Sequence, residues 1–217
     1  MTALDKDGVV ARIRELGVIP VIRARSAEEA GRAIEAIRAG GVDVLEITMT
    51  VPDAVALIRE VAALHADALV GAGTVLDAET ALACIQAGAR FVVSPVLDRG
   101  TVDCCRRHGV AVLPGALTPT EVLAAWQAGA DLVKVFPAGA VGGASYLRSL
   151  KAPLPQVPLV PTGGVSLETA ASFIQAGAAA LGVGADLVDL EALREGKASL
   201  ISERARRYVE IVRSARR

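Results

Sequence analysis

Two kinds of apolar spacing alternate along this chain. Stretches with apolar residues every three or four positions have the period of an amphipathic helix. Short continuous apolar runs have the character of strands buried on both faces. Eight such runs predict strands near residues 18–23, 42–48, 68–73, 90–94, 110–114, 131–136, 157–161 and 179–184. Four of them open on Ala-Gly: AGGVDVLEIT, AGARFVVSP, AGADLVKVFP and AGAAALGVGA. Gly40 lies 48 residues before Gly88, and Gly129 lies 48 before Gly177. The helical stretches between them carry start signals. Ser26 and Glu29 make a capping box, Pro52 falls in a first turn, and Asp77, Thr118 and Ser166 are candidate caps. Glycines after these stretches can take the left-handed conformation that ends a helix.

Strand followed by helix, repeated eight times, is the pattern of a parallel sheet, and eight strands can close into a (β/α)8 TIM barrel. The chain of 217 residues suits a small one, read as a single domain over residues 1–217. The rival, an open doubly wound sheet, usually carries a glycine-rich fingerprint after its first strand. That position here reads IRARSAEEA, which has none. An amphipathic helix over residues 3–16 is expected to close the bottom of the barrel.

Composition narrows the function classes. Twenty-three Lys+Arg against 24 Asp+Glu leave a net charge of −1, which gives no electrostatic case for nucleic acid or an anionic membrane. The C-terminal arginines (Arg204, Arg206, Arg207, Arg213, Arg216 and Arg217) read as the solvated face of a last helix. Cys84, Cys104 and Cys105 form neither a spaced ligand pair nor an even disulfide framework. His65 and His108 each sit near the end of a helical stretch, so no metal and no cofactor is expected. Free thiols without an apolar leader at Met1–Leu16 point to the cytoplasm.

One residue breaks the apolar logic. Lys134 stands in the middle of ADLVKVFPAG, and lysine is almost never buried without a partner. In a barrel of this kind the reaction site lies at the C-terminal ends of the strands. Collected there are Arg23, Glu46, Thr48, Thr74, Ser94, Pro95, Lys134, Thr162 to Gly164, and Gly182 to Asp186. Period-2 alternation puts Lys134 on one face with Leu132 and Phe136, and Glu46 on one face with Val44 and Thr48. Both therefore point into the barrel. The plain alternative is a buried ion pair that only holds strands together, and such pairs stabilise weakly. Glycine turns after the last two strands, PTGG and GVGAD, let backbone N–H groups converge on an anion such as phosphate.

A desolvated lysine whose pKa falls from roughly 10.4 toward neutrality attacks a ketone and forms a Schiff base, an electron sink next to which a carbon–carbon bond can break. A neighbouring carboxylate moves the protons. These residues suggest a metal-free aldolase. The stretches GGVDVLEITMTVPDA, GAGTV, GARFVVSP, PGALTPTE, ADLVKVFPA, PTGGV and GVGADLV together resemble the 2-keto-3-deoxy-6-phosphogluconate (KDPG) aldolase family, which includes the 4-hydroxy-2-oxoglutarate (KHG) aldolases. The resemblance covers nearly the whole chain. It implies that Lys134 is the Schiff-base lysine and Glu46 the general acid/base. It further implies that Thr74, Pro95 and Phe136 line the pyruvate end. Thr162, Gly163 and Gly164, completed by Gly184 and Ala185, would bind phosphate. It also implies a homotrimer acting on a small 2-oxo acid.

Two departures matter. Some members carry an arginine four residues after the glutamate, where this chain has Thr50; others carry one at the end of strand 1, which Arg23 matches. Arg23 is therefore assigned to the substrate carboxylate. Ala185 stands where many relatives have serine, which removes a hydroxyl donor and makes an unphosphorylated 4-hydroxy-2-oxo acid a fitting alternative substrate. The expected reaction is KDPG cleavage to pyruvate and glyceraldehyde 3-phosphate. Its competitors are KHG cleavage to pyruvate and glyoxylate, phosphosugar isomerase or synthase chemistry without a Schiff base, and a non-catalytic scaffold.

Overall fold

A computed structural model describes residues 4–217. Its helices are α1 (Lys6–Leu16), α2 (Ala27–Ala39), α3 (Ala54–Leu64), α4 (Ala78–Gln86), α5 (Arg99–Arg107), α6 (Pro119–Ala128), α7 (Gly143–Lys151), α8 (Ala170–Gln175), α9 (Leu190–Arg194) and α10 (Ala198–Ala215). The strands are β1 (Val18–Ile22), β2 (Val44–Thr48), β3 (Leu69–Gly73), β4 (Phe91–Val93), β5 (Ala111–Leu113), β6 (Gly115–Ala116), β7 (Val133–Val135), β8 (Leu159–Pro161) and β9 (Leu181–Val183). Each of the eight predicted runs contains strand. The run at 110–114 holds β5, which ends before Pro114, a residue with no N–H for the ladder, and β6 follows it. The Gly115 N–H is turned to Val96 O (3.2 Å), while the Pro114 carbonyl accepts from Lys134 N (3.0 Å).

Six strands form a curled parallel sheet in the order β5-β4-β3-β2-β1-β9, and three form a second, β6-β7-β8. Residues 111–116 thus contribute to both sheets. Isolated parallel bridges, Leu159 to Ala178 and Thr162 to Gly182, join β8 to the β9 segment. Every residue of β1, β2 and β3 is buried, as strands covered on both faces must be.

Helix α1 lies against the N-terminal ends of the strands. Lys6 pairs with Asp131, just before β7, and Arg12 with Asp43, just before β2. The helix starts at Lys6, where Asp5 caps Gly8 N at 2.8 Å; residue 3 of the expected range is outside the described residues. Asp77 and Thr118 cap as expected, Thr118 in a full capping box with Glu121. Two expected starts differ. Pro52 lies in a turn before α3 rather than in its first turn, since Val51 N closes on Thr48 O and Asp53 takes a left-handed φ of 55°. Ser166 caps a turn that runs into α8, its Oγ accepting from Thr169 N at 3.3 Å, and α8 itself begins at Ala170.

The C-terminal arginines are not all solvated. Arg204 of α10 donates to Asp186 O and Asp189 Oδ2, and Arg216 to Glu15 O and Ala179 O. No helix is long and apolar enough to cross a membrane, among the described residues.

Candidate active site

Lys134 is the central residue of β7 and Glu46 the third of β2, so they belong to different sheets. Strand alternation sends Val133 and Val135 away from the enclosed side, and Lys134 and Glu46 meet across it. Lys134 Nζ lies 4.0 Å from Glu46 Oε1, with each side chain only 3% exposed. That is close approach without a hydrogen bond, and Glu46 Oε1 has no hydrogen-bond partner among the described residues. Burial holds the Glu46 carboxyl above the usual carboxylate range; the charges of Lys134 and, less strongly, Arg23 pull it partly back. The Lys134 ammonium also sits 5.4 Å from the centre of the Phe136 ring, within cation–π range. Gly73 makes room for the carboxylate: a Cβ there would overlap Glu46 Oε1.

The other predicted residues follow around this pair. Thr74 comes directly after Gly73 and is half-buried, with a left-handed φ of 57° that is uncommon for threonine. Pro95 presents its carbonyl to Gly115, and Gly115 is paired in register with Lys134. Phe136 reaches the turn after β8, where Gly163 and Gly164 take φ of 83° and 76°. Two successive positive φ values are open to glycine and strained for other residues. That turn rests on the segment after β7 through Ala138 N to Thr162 O (2.9 Å) and Gly139 N to Gly163 O (2.8 Å). Thr162 is buried and bridges to Gly182. Beyond it, the Gly164, Gly184 and Ala185 N–H groups donate to no protein acceptor among the described residues.

Arg23 completes the arrangement from the end of β1. Thr48 Oγ1 donates to Ile22 O (2.9 Å), which fixes the residue immediately before it. Arg23 lines a cavity of about 620 Å3 together with Arg25, Thr50, Gly184, Ala185 and Arg194. Lys134 and Glu46 are not in its wall. Arg23 connects the two places, since its charge is felt at Glu46.

Residues 9–203 match the model of the KDPG and KHG aldolase family. The chain belongs to that family. It is 34% identical over 203 residues to the 2-dehydro-3-deoxy-phosphogluconate aldolase of Treponema pallidum (strain Nichols), covering 92% of this chain and 95% of that one. It is 35% identical over 193 residues to the KHG/KDPG aldolase of Escherichia coli (strain K12), covering 89% and 91%. Among solved structures it resembles the KDPG aldolase of Legionella pneumophila, in which pyruvate was captured at low pH as a covalent carbinolamine. The TM-score is 0.82, at 31% identity, over 91% of this chain and 96% of that one.

Within this aldolase, contacts link Glu46 to Lys134, Lys134 to Phe136 and Phe136 to the Thr162–Gly164 turn; Arg23 shares a cavity wall with Gly184 and Ala185, and Thr74 and Pro95 follow the ends of β3 and β4. Sequence reading misses the cavity's other walls. Thr50 was noted for the arginine it replaces, yet its hydroxyl bonds Thr48 at 2.6 Å and lines the cavity. Arg194 arrives from α9, tied by Nε to Glu29 Oε1 at 2.6 Å, and no local signal puts that short helix beside α2. The two histidines cap helices away from the predicted site residues, His65 on α3 and His108 on α5.

Proposed function

We propose that this aldolase cleaves KDPG to pyruvate and glyceraldehyde 3-phosphate through a Schiff base on Lys134. The observation that carries this reading is the buried pair itself: an amine and a carboxylate 4.0 Å apart, the near oxygen without a hydrogen bond, in a chain of this family. Lys134 Nζ adds to the C2 carbonyl and, with loss of water, gives the iminium. Glu46 takes the proton of the C4 hydroxyl. The C3–C4 bond breaks, its electrons move into the iminium, and the aldehyde leaves as the enamine forms. Protonation at C3 and hydrolysis release pyruvate and restore the lysine. Arg23 holds the substrate carboxylate, Thr74, Pro95 and Phe136 enclose the pyruvate end, and the two glycine turns receive the phosphate. The unbonded N–H groups of Gly164, Gly184 and Ala185 support that last assignment.

The strands that carry these residues are read as one closed (β/α)8 barrel forming a single unit over residues 1–217. The shared segment 111–116 and the two β8–β9 bridges support closure. A homotrimer is proposed with it. Leu76 after β3, Val96 after β4 and Leu123 in α6 are exposed apolar side chains available for association. Three free thiols support a cytoplasmic place.

Pyruvate release from KDPG, followed by coupled reduction to lactate, tests the reading. Turnover of KDPG with a higher kcat/KM than KHG is expected. Ala185 favours the second reading, KHG cleavage to pyruvate and glyoxylate, and a higher kcat/KM for KHG would establish it.

A further inference from the structure

The two glycine turns come from different strands, yet a single side chain ties them together. Asp186 follows Ala185 in the turn after β9, and its Oδ2 accepts from Leu167 N at 3.2 Å, in the loop that continues the turn after β8. The same oxygen accepts from the Tyr208 hydroxyl of α10. Tyr208 is wholly buried, among the largest side chains that are, on a helix whose other face is rich in arginine. The Asp186 backbone is held as well, its carbonyl accepting from Arg204 Nη1 at 2.9 Å, while Arg204 also reaches Asp189 Oδ2 at 3.0 Å. On the β8 side, Thr169 Oγ1 donates to Gly164 O at 3.1 Å and ties the same loop back to its glycine. The Asp186 carboxylate is bonded to Leu167 and Tyr208, whereas Ala185 before it is exposed. The carboxylate beside the turns is thus engaged by two donors of the protein.

We infer that Asp186 is a positioning residue: bonded to Leu167 and Tyr208, it sets the separation of the two glycine turns and so the affinity for the distal anionic group of the substrate. The inference rests on the reading of these turns as the phosphate end. Backbone N–H donors bind an anion only when they converge, and small displacements of positioned groups are costly. With Ala185 offering no hydroxyl, backbone placement carries more of that task here than a side chain does.

The test compares the phosphorylated substrate with its unphosphorylated counterpart, for wild type, Asp186→Ala, Asp186→Asn and Tyr208→Phe. Asp186→Ala is expected to raise KM for the phosphorylated substrate about tenfold with kcat within about twofold. It is expected to leave kcat/KM for the unphosphorylated substrate and borohydride trapping of pyruvate unchanged. Asp186→Asn keeps an acceptor oxygen and should recover most of the loss; Tyr208→Phe, which removes one donor, should fall between. An equal loss on both substrates, or no change on either, in folded Asp186→Ala and Tyr208→Phe proteins overturns the inference while leaving the phosphate reading standing. A wild type that does not distinguish the two substrates overturns the phosphate reading itself, and the inference with it.

Discussion

Two lysine–carboxylate pairs stand at opposite ends of the strands, and they are built differently. At the N-terminal end, Lys6 Nζ meets Asp131 Oδ1 at 2.6 Å, with side chains 36% and 11% exposed, and Asp131 Oδ2 accepts from Val112 N at 2.9 Å. Both carboxylate oxygens are used. At the C-terminal end, Lys134 and Glu46 are far more deeply buried, stand 4.0 Å apart, and leave Glu46 Oε1 unbonded. If both pairs served only to hold strands, the buried one should be the tighter, because a buried charge without partners is the more costly. The reverse is found. The bottom pair is a clasp between α1 and the strand ends; the top pair keeps its amine and one oxygen open to a third party. Arg38 Nη1, Asp43 Oδ1 and Thr101 Oγ1 are likewise buried without a partner among the described residues; Glu46 Oε1 differs from them in facing a buried lysine amine.

Substitutions that sharpen this contrast fall in a clear order. Glu46→Gln removes the base with little change of shape, and kcat should drop about 10^2- to 10^4-fold in the pyruvate-release assay. Gly73→Ala places a methyl group where Glu46 Oε1 now sits, so the carboxylate must turn away. A loss of about 10^2-fold in kcat, with the fold preserved by circular dichroism, is expected. Arg23→Ala should raise KM about ten- to a hundredfold through loss of a charged contact to the substrate carboxylate. It should also move the acid limb of the pH profile. The base must be ionised to act, Arg23 is one of the two cations that lower the Glu46 pKa, and removing a cation disfavours the anion. The limb therefore shifts to higher pH, which kcat/KM measured across pH would show. Lys6→Met, at the other end, should leave kcat/KM unchanged and cost less than about 1 kcal/mol in denaturant unfolding, as a partly exposed pair does.

The sequence made one side of this contrast legible and left the other obscure. Lys134 and Glu46 could be set facing each other because strand alternation is strict and the flanking Val133, Val135, Leu45 and Ile47 leave no other face for a charge. The helix–strand alternation was visible for the same reason. Where an element's limits depend on its partners, the sequence was silent. Pro114 ends β5 because it has no N–H to offer, but that the chain then pairs with β7 in the other sheet as β6 is decided by tertiary packing, not by residues 110–114. α8 starts at Ala170 rather than directly after Ser166, because the Ser166 hydroxyl caps the turn 167–169 that leads into it, accepting from Thr169 N. The cavity walls at Arg25 and Arg194, and the link from Asp186 to Leu167 and Tyr208, join residues distant along the chain and carry no local spacing to detect. Tyr208 offered one hint, an aromatic residue four positions before Val212 inside a strongly charged helix, and both lie on the buried stripe of α10.

The most direct test of the open pair is intact mass after incubation with pyruvate and borohydride, on the wild type and on Lys134→Ala. Schiff-base chemistry predicts a reduced pyruvate adduct on the wild type and none on the variant. An adduct on both proteins would place the imine on another lysine, and an adduct on neither would contradict the assignment of Lys134 as the nucleophile.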